Sequence, residues 1–429
     1  MPNLANLLDS KLSPELAAIL RELGELAAGG QSGAGEIYLV GGTVRDLILG
    51  REASDPDISV VGNGGRFART AAERLGGNLI AISQFGTASI GTAVGQIDIV
   101  TARSEKYAAP GALPDIKPSG IEDDLARRDF SVNAMAISIK PQSWGTLLDP
   151  HHGFADCARH RLRVLHEHSF RDDPTRALRV ARYETRLGFK LTVETAEWLE
   201  RDLHFMDAVS PARVLAELRK MLEEPARAGI LRRADVLGVL SAVSPALRVS
   251  EPALHAMEQL GEAADELLYV ACLTAPLTEA EANTVIERLQ PNNEWRHVIA
   301  GADRYRAIAP VLKMPDLAPS EVVELLDPIP APVLEAQRLL APKTRQREYL
   351  EAYLRRHRDM WPYLKGEDLK AQGVPEGPLV GQLIAELRNA RLDDKLFSRE
   401  DEIEHVRRRL PTLLSRDQGS NRPEGASVP

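Results

Sequence analysis

The first clear pattern in the chain is an apolar run from Ile37 to Val40, which reads as a short buried strand. Gly41 and Gly42 interrupt it, and from Thr43 to Leu49 the apolar residues Val44, Leu47 and Ile48 recur on one helical face. Asp55-Pro56-Asp57 then leads into an alternating strand, Ile58–Val61. Helical spacing returns at Arg66–Leu75 and stops at Gly76-Gly77. Strands are predicted near Asn78–Ile82, Ala88–Ala93 and Gln96–Thr101. Ahead of this region, Ser13–Ala28 reads as an amphipathic helix with Ser13 as N-cap and Pro14 in its first position, followed by a flexible connector, Gly29–Gly35. Arg103–Gly120 has little period and much proline and glycine, so a functional or mobile loop is predicted there. A charged run, Ile121–Met135, and a short strand and turn, Trp144–Pro150, close the mixed region. The remainder is almost wholly helical: Phe170–Gly188, Val209–Leu222, then helices between the prolines at 245, 276, 291 and 310. Thr344–Arg358 reads as a basic helix carrying Tyr349 and Tyr353, and Leu364–Leu413 as several short helices. Ser415–Pro429 is polar and predicted to be disordered. The fold class is an α/β head, a mixed sheet with helices, followed by an all-α remainder.

Composition narrows this only a little. At 429 residues the chain calls for two to four domains. A net charge of −9 excludes a uniformly basic nucleic-acid binder and leaves local basic faces open. Aromatics at 5% advertise no stacking platform for single strands. Cys157 and Cys272 stand in no metal spacing, which argues against a disulfide scaffold or structural zinc. No apolar stretch is long enough to span a membrane and the N-terminus has no secretion pattern, so a cytoplasmic protein is expected.

The candidate chemistry lies in the mixed region and the first helices. Glycines let a backbone approach a ligand, and free N–H groups at a helix start attract phosphate oxygens. Asp55 and Asp57 alternate, so their carboxylates share one face, and hard oxygens so placed suit Mg²⁺ bound to a substrate phosphate. Asp98, between Ile97 and Ile99, faces away from them. It points either to the same site or to solvent. Arg127, Arg128, Asp129 and Asn133 set planar donors beside a carboxylate and an amide, chemistry suited to ribose and phosphate. Arg176, Arg179 and Arg182 form a basic stripe behind Asp172-Asp173, and Arg213, Glu217 and Lys220 are spaced for helical pairing. His151-His152 reads as a structural turn rather than a zinc site. Taken singly, each motif also fits a solvated turn, a helix cap or a surface ion-pair helix.

Their order is more specific. LVGGTVRDLILG, DPDISV, DLARRDFSVNAMA, LLDPHHGFAD, FRDDPTRALRVARYETRLGF and SPARVLAELRK succeed one another as in the class II tRNA nucleotidyltransferases and related bacterial poly(A) polymerases. The chain resembles that family, part of the DNA polymerase β-like superfamily, from Ile37 to Leu222, with a looser echo over Leu364–Arg408. The resemblance implies a nucleotide-cradling turn at Gly41, Gly42, Arg45 and Asp46. It implies catalytic, metal-binding carboxylates at Asp55 and Asp57 that hold Mg²⁺, with Asp98 matching a third acidic position of the superfamily. Asp124, Arg128, Asp129 and Asn133 match the ribose-recognising motif, and Asp149 and Gly153 a hinge. Asp173 and Arg176 match a protein template for the incoming base, with Arg179 and Arg182 completing the nucleotide-binding set and Arg213, Glu217 and Lys220 bracing it. Asp172 replaces the usual glutamate, and His151-His152 replaces an aromatic and a glycine in the hinge.

On this footing residues 1–35 are an N-terminal helix and linker, 36–150 a catalytic head, 151–225 a neck and 226–343 a helical body. Residues 344–414 form a tRNA-binding tail and 415–429 the disordered end. The expected function is addition of C and A to the tRNA 3′ end from CTP and ATP, without a nucleic-acid template, releasing pyrophosphate. Gln84-Phe85-Gly86-Thr87 is similar to a glycine–threonine turn of the tRNA enzymes. RNA contacts are expected on the neck and the basic helix near Tyr353. The alternatives are CC-only or A-only addition, poly(A) synthesis, and a non-catalytic RNA-binding relative.

Overall fold

The computed structural model describes residues 2–420 except 31, 53–55, 83–86, 93–94, 262–263 and 343. The chain divides into two compact units, Met1–Val249 with Arg288–Gln290, and Ser250–Glu287 with Pro291–Pro429.

The first unit opens with helices α1 (Ala5–Lys11) and α2 (Pro14–Ala28). Ser13 caps α2 as predicted, its Oγ accepting from the Leu16 amide at 3.1 Å. β1 (Ala34–Val40) begins inside the predicted connector and ends in four consecutive buried residues, Ile37–Val40. That is the mark of a strand covered on both faces. Next come α3 (Gly42–Ile48), β2 (Asp57–Gly62), α4 (Gly64–Leu75), β3 (Asn78–Ile82), β4 (Thr87–Thr92) and β5 (Gly95–Thr101). β6 (Arg103–Lys106), β7 (Asp115–Pro118), α5 (Ile121–Ala126), β8 (Ala136–Ser138) and β9 (Leu147–Leu148) complete the mixed region.

Seven of these strands form one sheet in the order β3-β4-β5-β2-β1-β8-β9. β2 runs antiparallel to β1 and parallel to β5. α4 packs over β4 and β5 and buries Phe67, Ala68 and Ala71 completely; Phe67 alone contributes about 2 kcal/mol.

The region predicted to be a loop, residues 103–120, is different. β6 and β7 pair as an antiparallel hairpin, with Glu105 opposite Ile116. Alternation of Arg103, Glu105 and Tyr107 puts their side chains on one face, where Glu105 accepts from the other two and holds the strand.

After the sheet come α6 (Gly153–Ala158), β10 (Arg161–Leu162), α7 (Ser169–Asp172), α8 (Arg176–Leu187), β11 (Lys190–Leu191), α9 (Val193–Asp202) and α10 (Pro211–Glu223). The single helix predicted over Phe170–Gly188 is two. Pro174 has no amide to donate, so the chain breaks between Asp172 and Arg176.

The second unit is helical. Leu364, Leu369, Leu383, Leu387 and Val406 make one of its cores. Beside them the fully buried Glu402 accepts from the amides of Tyr363 and Leu364 at 3.0 and 2.8 Å. The predicted basic helix bends into a π-turn at Tyr353–His357. Its tyrosines are tied within the unit, Tyr353 to Asp327 at 2.9 Å and Tyr349 to the amide of Leu317 at 3.1 Å. The last helix runs from Arg399 to Ser420, past the expected start of disorder; Glu400, Asp401 and Glu402 favour its first turn, and Val406 and Leu413 dock on the core. Residues 421–429 lie outside the described residues. Among the described residues no helix is long and apolar enough to cross a membrane.

Candidate active site

β1 delivers the chain to Gly41, whose φ of 72° strains any residue with a side chain. Space is tight as well: a Cβ there would stand 2.8 Å from Arg128 Nη1, which would have to move, and 3.5 Å from Asp57 Oδ2. The bare turn is thus a cradle between a guanidinium and a carboxylate.

Asp57 opens β2 and stands in register with Val40 on one side and Asp98 on the other. Neighbours in register on parallel strands face the same way, so the two carboxylates start side by side. Asp98 Oδ1 accepts from Ser89 Oγ at 2.6 Å and Gln96 Nε2 at 2.9 Å.

Asp124, fully buried within α5, holds the arginines that follow it. Its Oδ1 takes Arg127 Nε and Nη2 at 3.0 and 2.8 Å, and its Oδ2 takes Arg128 Nη2 at 3.1 Å. Burial pushes this carboxyl up, but Arg128 and Arg127 outweigh it and hold it below the usual carboxylate range. Arg127 Nη1 also reaches Glu105 at 3.1 Å.

Asp129 sits at the crossing of two chains of bonds. Oδ1 accepts from the Phe130 amide at 2.8 Å and Asn133 Nδ2 at 3.0 Å, and Oδ2 from Arg179 Nε at 2.9 Å. Burial raises its pKa, yet the Arg179 charge and the Asn133 bond bring it down to about 2. Asn133 Oδ1 in turn accepts from Arg45 Nη1 at 2.6 Å, and Arg45 clasps Asp46 at 2.8 and 3.0 Å.

The break before α8 shapes the other wall. Asp173 Oδ1 accepts from the Thr175 amide at 3.1 Å and from Arg213 Nη2 at 2.8 Å. Among the described residues Oδ2 has no hydrogen bond. Arg213, predicted to pair along its own helix, instead bridges Asp173 to the carbonyl of Gly111 at 2.8 Å, because it sits on the face of α10 turned toward α8. Arg176 is 4% exposed and donates to the Arg127 carbonyl at 2.8 Å. Arg179 and Arg182 reach Glu217 at 3.6 and 3.2 Å, and Lys220 joins it at 2.9 Å. The predicted basic stripe is therefore a paired, largely buried face. Tyr183 lies among these cations, its ring centroid 5.5 Å from Arg45, 5.5 Å from Arg179 and 5.3 Å from Arg182.

Together these groups enclose a cleft of about 510 Å³. Of the residues singled out in the sequence, Gly41, Gly42, Asp57, Arg127, Arg128, Asp129, Asn133, Asp173, Arg176, Arg179, Arg213 and Glu217 line it. Arg45, Asp46, Asp98, Asp124 and Arg182 are not among its lining residues; all but Asp98 pair with groups that stand at or behind the wall. Asp55 and the Gln84-Phe85-Gly86 turn lie outside the described residues. Glu105, Tyr107, Thr175 and Tyr183 also line the cleft and were not singled out. The period-two spacing of Arg103, Glu105 and Tyr107 was the available signal.

Asp149 caps α6, its carboxylate accepting from the Gly153 and Phe154 amides at 2.6 and 3.0 Å. His152 adopts φ 60° just before that helix, consistent with a structural turn. Among the described residues no group of three acidic, histidine or cysteine side chains could hold a metal ion by itself. Asp57 and Asp98 still fit a hard cation. They supply neighbouring carboxylates beside a cradle that only glycine leaves open, and Mg²⁺ ordinarily completes its shell with substrate oxygens.

The likeness to known proteins agrees with this geometry. Residues 37–163 match the family described as Poly A polymerase head domain, and residues 188–250 that described as probable RNA and SrmB-binding site of polymerase A. The A-adding tRNA nucleotidyltransferase of Geobacter sulfurreducens is 31% identical over 93% of this chain, which spans 47% of that relative's length. The A-adding enzyme of Halalkalibacterium halodurans is 32% identical over 94% of this chain and 95% of its own. The CC-adding enzyme of Deinococcus radiodurans is 30% identical over 92% and 93%. Among solved structures, a CCA-adding enzyme in an apo form superposes with a TM-score of 0.81 at 28% identity, over 96% of this chain and 99% of that one. The Thermotoga maritima CCA-adding enzyme complexed with tRNA does so at 0.74 and 26%, over the same shares. The fold and cleft define a nucleotidyltransferase head with a helical remainder. The chain belongs to the tRNA nucleotidyltransferase family.

Proposed function

We propose that this protein transfers nucleoside monophosphates from CTP and ATP to the tRNA 3′ end, building CCA without a nucleic-acid template. The observation that carries the reading is that one cleft is lined by both Asp57 with Arg128 and Asp173 with Arg176. The first pair handles charge at a triphosphate, the second offers an acceptor and donors to a base edge. The RNA 3′ oxygen attacks the α-phosphorus and pyrophosphate departs. Mg²⁺, held by Asp57 with Asp55 and Asp98 and completed by substrate oxygens, would supply charge neutralisation at the triphosphate and activation of the hydroxyl. Gly41 leaves room for the phosphates, and Arg128, fixed by Asp124, meets them with a guanidinium that cannot swing away. Asp129 and Asn133 lie where a ribose hydroxyl can bond, each braced by an arginine. Asp173 is anchored through Oδ1, which leaves Oδ2 to face a base. Free buried cysteines suit a reducing compartment, and we place the protein in the cytoplasm.

A second reading, adenylation alone, draws on the A-adding names of the Geobacter and Halalkalibacterium relatives. One experiment separates them. tRNA transcripts ending before CCA, after C and after CC are each incubated with Mg²⁺ and single nucleotides. CCA addition predicts CMP incorporation on the first two and AMP on the third. AMP on the third alone establishes A-addition, and no incorporation on any transcript overturns both readings. Asp57→Ala should abolish incorporation and leave tRNA binding within about twofold; retained activity would refute its role.

A further inference from the structure

The first unit holds a second cavity that none of the catalytic groups lines. It encloses about 590 Å³, more than the 510 Å³ of the catalytic cleft, and lies between β10 and the start of α9. Its chemistry is that of a site. Arg161 opens β10 and Arg163 follows its last residue, Leu162; the leucine is completely buried, while both arginines line the cavity. Arg159 joins them in the lining. Three guanidiniums gathered on one wall repel one another unless anions answer them. Arg163 has its own carboxylate, Asp156, at 2.6 Å. The side chains of Arg159 and Arg161 make no hydrogen bond or ion pair among the described residues. Glu194, also in the lining, likewise has no ion pair there, so one negative charge faces two uncommitted cations. The remaining wall is apolar and aromatic, with Trp198 in the lining and Val193 70% exposed at its rim. An exposed branched apolar side chain beside an indole and two free guanidiniums fits a ligand with a flat body and a phosphate.

We propose that this cavity binds a nucleoside 5′-phosphate, its phosphate on Arg159 and Arg161 and its base against Trp198. The volume suits one nucleotide. Two unpaired arginines against one glutamate favour one or two net negative charges rather than a long polyanion. The nucleotide comes either free or as one residue of an RNA strand, and both present the same groups.

The site is tested on the full chain by equilibrium binding of labelled AMP and, separately, of a 5′-phosphorylated trinucleotide. The comparison protein is the double variant Arg159→Ala, Arg161→Ala, whose side chains lie at the surface and outside the catalytic cleft. Trp198→Ala is the second variant. Crosslinking of a photoreactive AMP followed by peptide mapping reports which cavity is labelled, so loss of catalytic-cleft binding and loss of this site are read apart. We expect labelling near Trp198 in the wild type, and affinity there reduced about tenfold or more by the double variant with incorporation activity unchanged. Binding of AMP without the trinucleotide assigns a free nucleotide, and the reverse assigns an RNA segment; either supports the site. Labelling confined to the catalytic cleft, or equal affinity in the double variant, overturns it.

Discussion

At the residue scale Asp129 ties the two walls of the cleft together. It is nearly buried, bonded to Asn133, and bound to Arg179, which is itself linked to Glu217. Removing one partner of such a pair leaves the other charge uncompensated, so Asp129→Asn should cost about 3 kcal/mol at neutral pH, read by urea denaturation. The pH dependence follows from the sign of the shift. A carboxyl whose folded pKa is lowered, here to about 2, stabilises the fold above its unfolded value near 4 and ceases to as pH falls through 2. The stability gap between wild type and variant should therefore be full at pH 5 and shrink toward pH 2. A gap independent of pH would contradict the pairing. The sequence made this residue legible as a member of a motif, since an aspartate between arginines and an asparagine has few chemical uses. It did not reveal that Arg45 and Arg182 serve the site from behind. That depends on which face of each helix turns inward, and burial is a property of the packed chain.

At the scale of elements, strands and helix starts were readable wherever local pattern decides them. Ser13 caps its helix, and β3, β4 and β5 fall within a residue or two of their predicted bounds. Reading failed where long-range contacts decide. The hairpin β6–β7 looked like a loop because each strand is only four residues long and polar; it is held by Glu105, which gathers Arg103, Arg127 and Tyr107. Glu105→Ala should loosen that hairpin, increasing protease cleavage within residues 103–118 by about tenfold, and unchanged cleavage would count against the contact. A second element-scale test concerns α6. A Cβ on Gly153 would overlap the Ser131 carbonyl, so Gly153→Ala must push α6 away from the turn that carries Asn133. A loss of about 1–3 kcal/mol is expected, visible as a lowered Tm; an unchanged Tm would show that the two elements are not packed as described.

At the scale of the molecule, a net charge of −9 forces any RNA contact to be local. If tRNA is held mainly through phosphates, its affinity should fall about tenfold or more as KCl rises from about 50 to about 200 mM. A flat response in filter binding would point to recognition dominated by bases. The sequence carried the class of fold and the order of motifs, because catalytic chemistry restricts residue types. It did not carry the cavity beside Trp198, whose residues come from separate elements and share no motif. We propose that one cleft both transfers the nucleotide and selects it, through Asp57 and Asp173. The most direct measurement is single-turnover incorporation of each of the four nucleotides by wild type and by Asp173→Ala. Selection by this carboxylate predicts that the variant still transfers nucleotides but loses most of its preference for CTP and ATP over UTP and GTP. A variant that transfers with wild-type selectivity would contradict it.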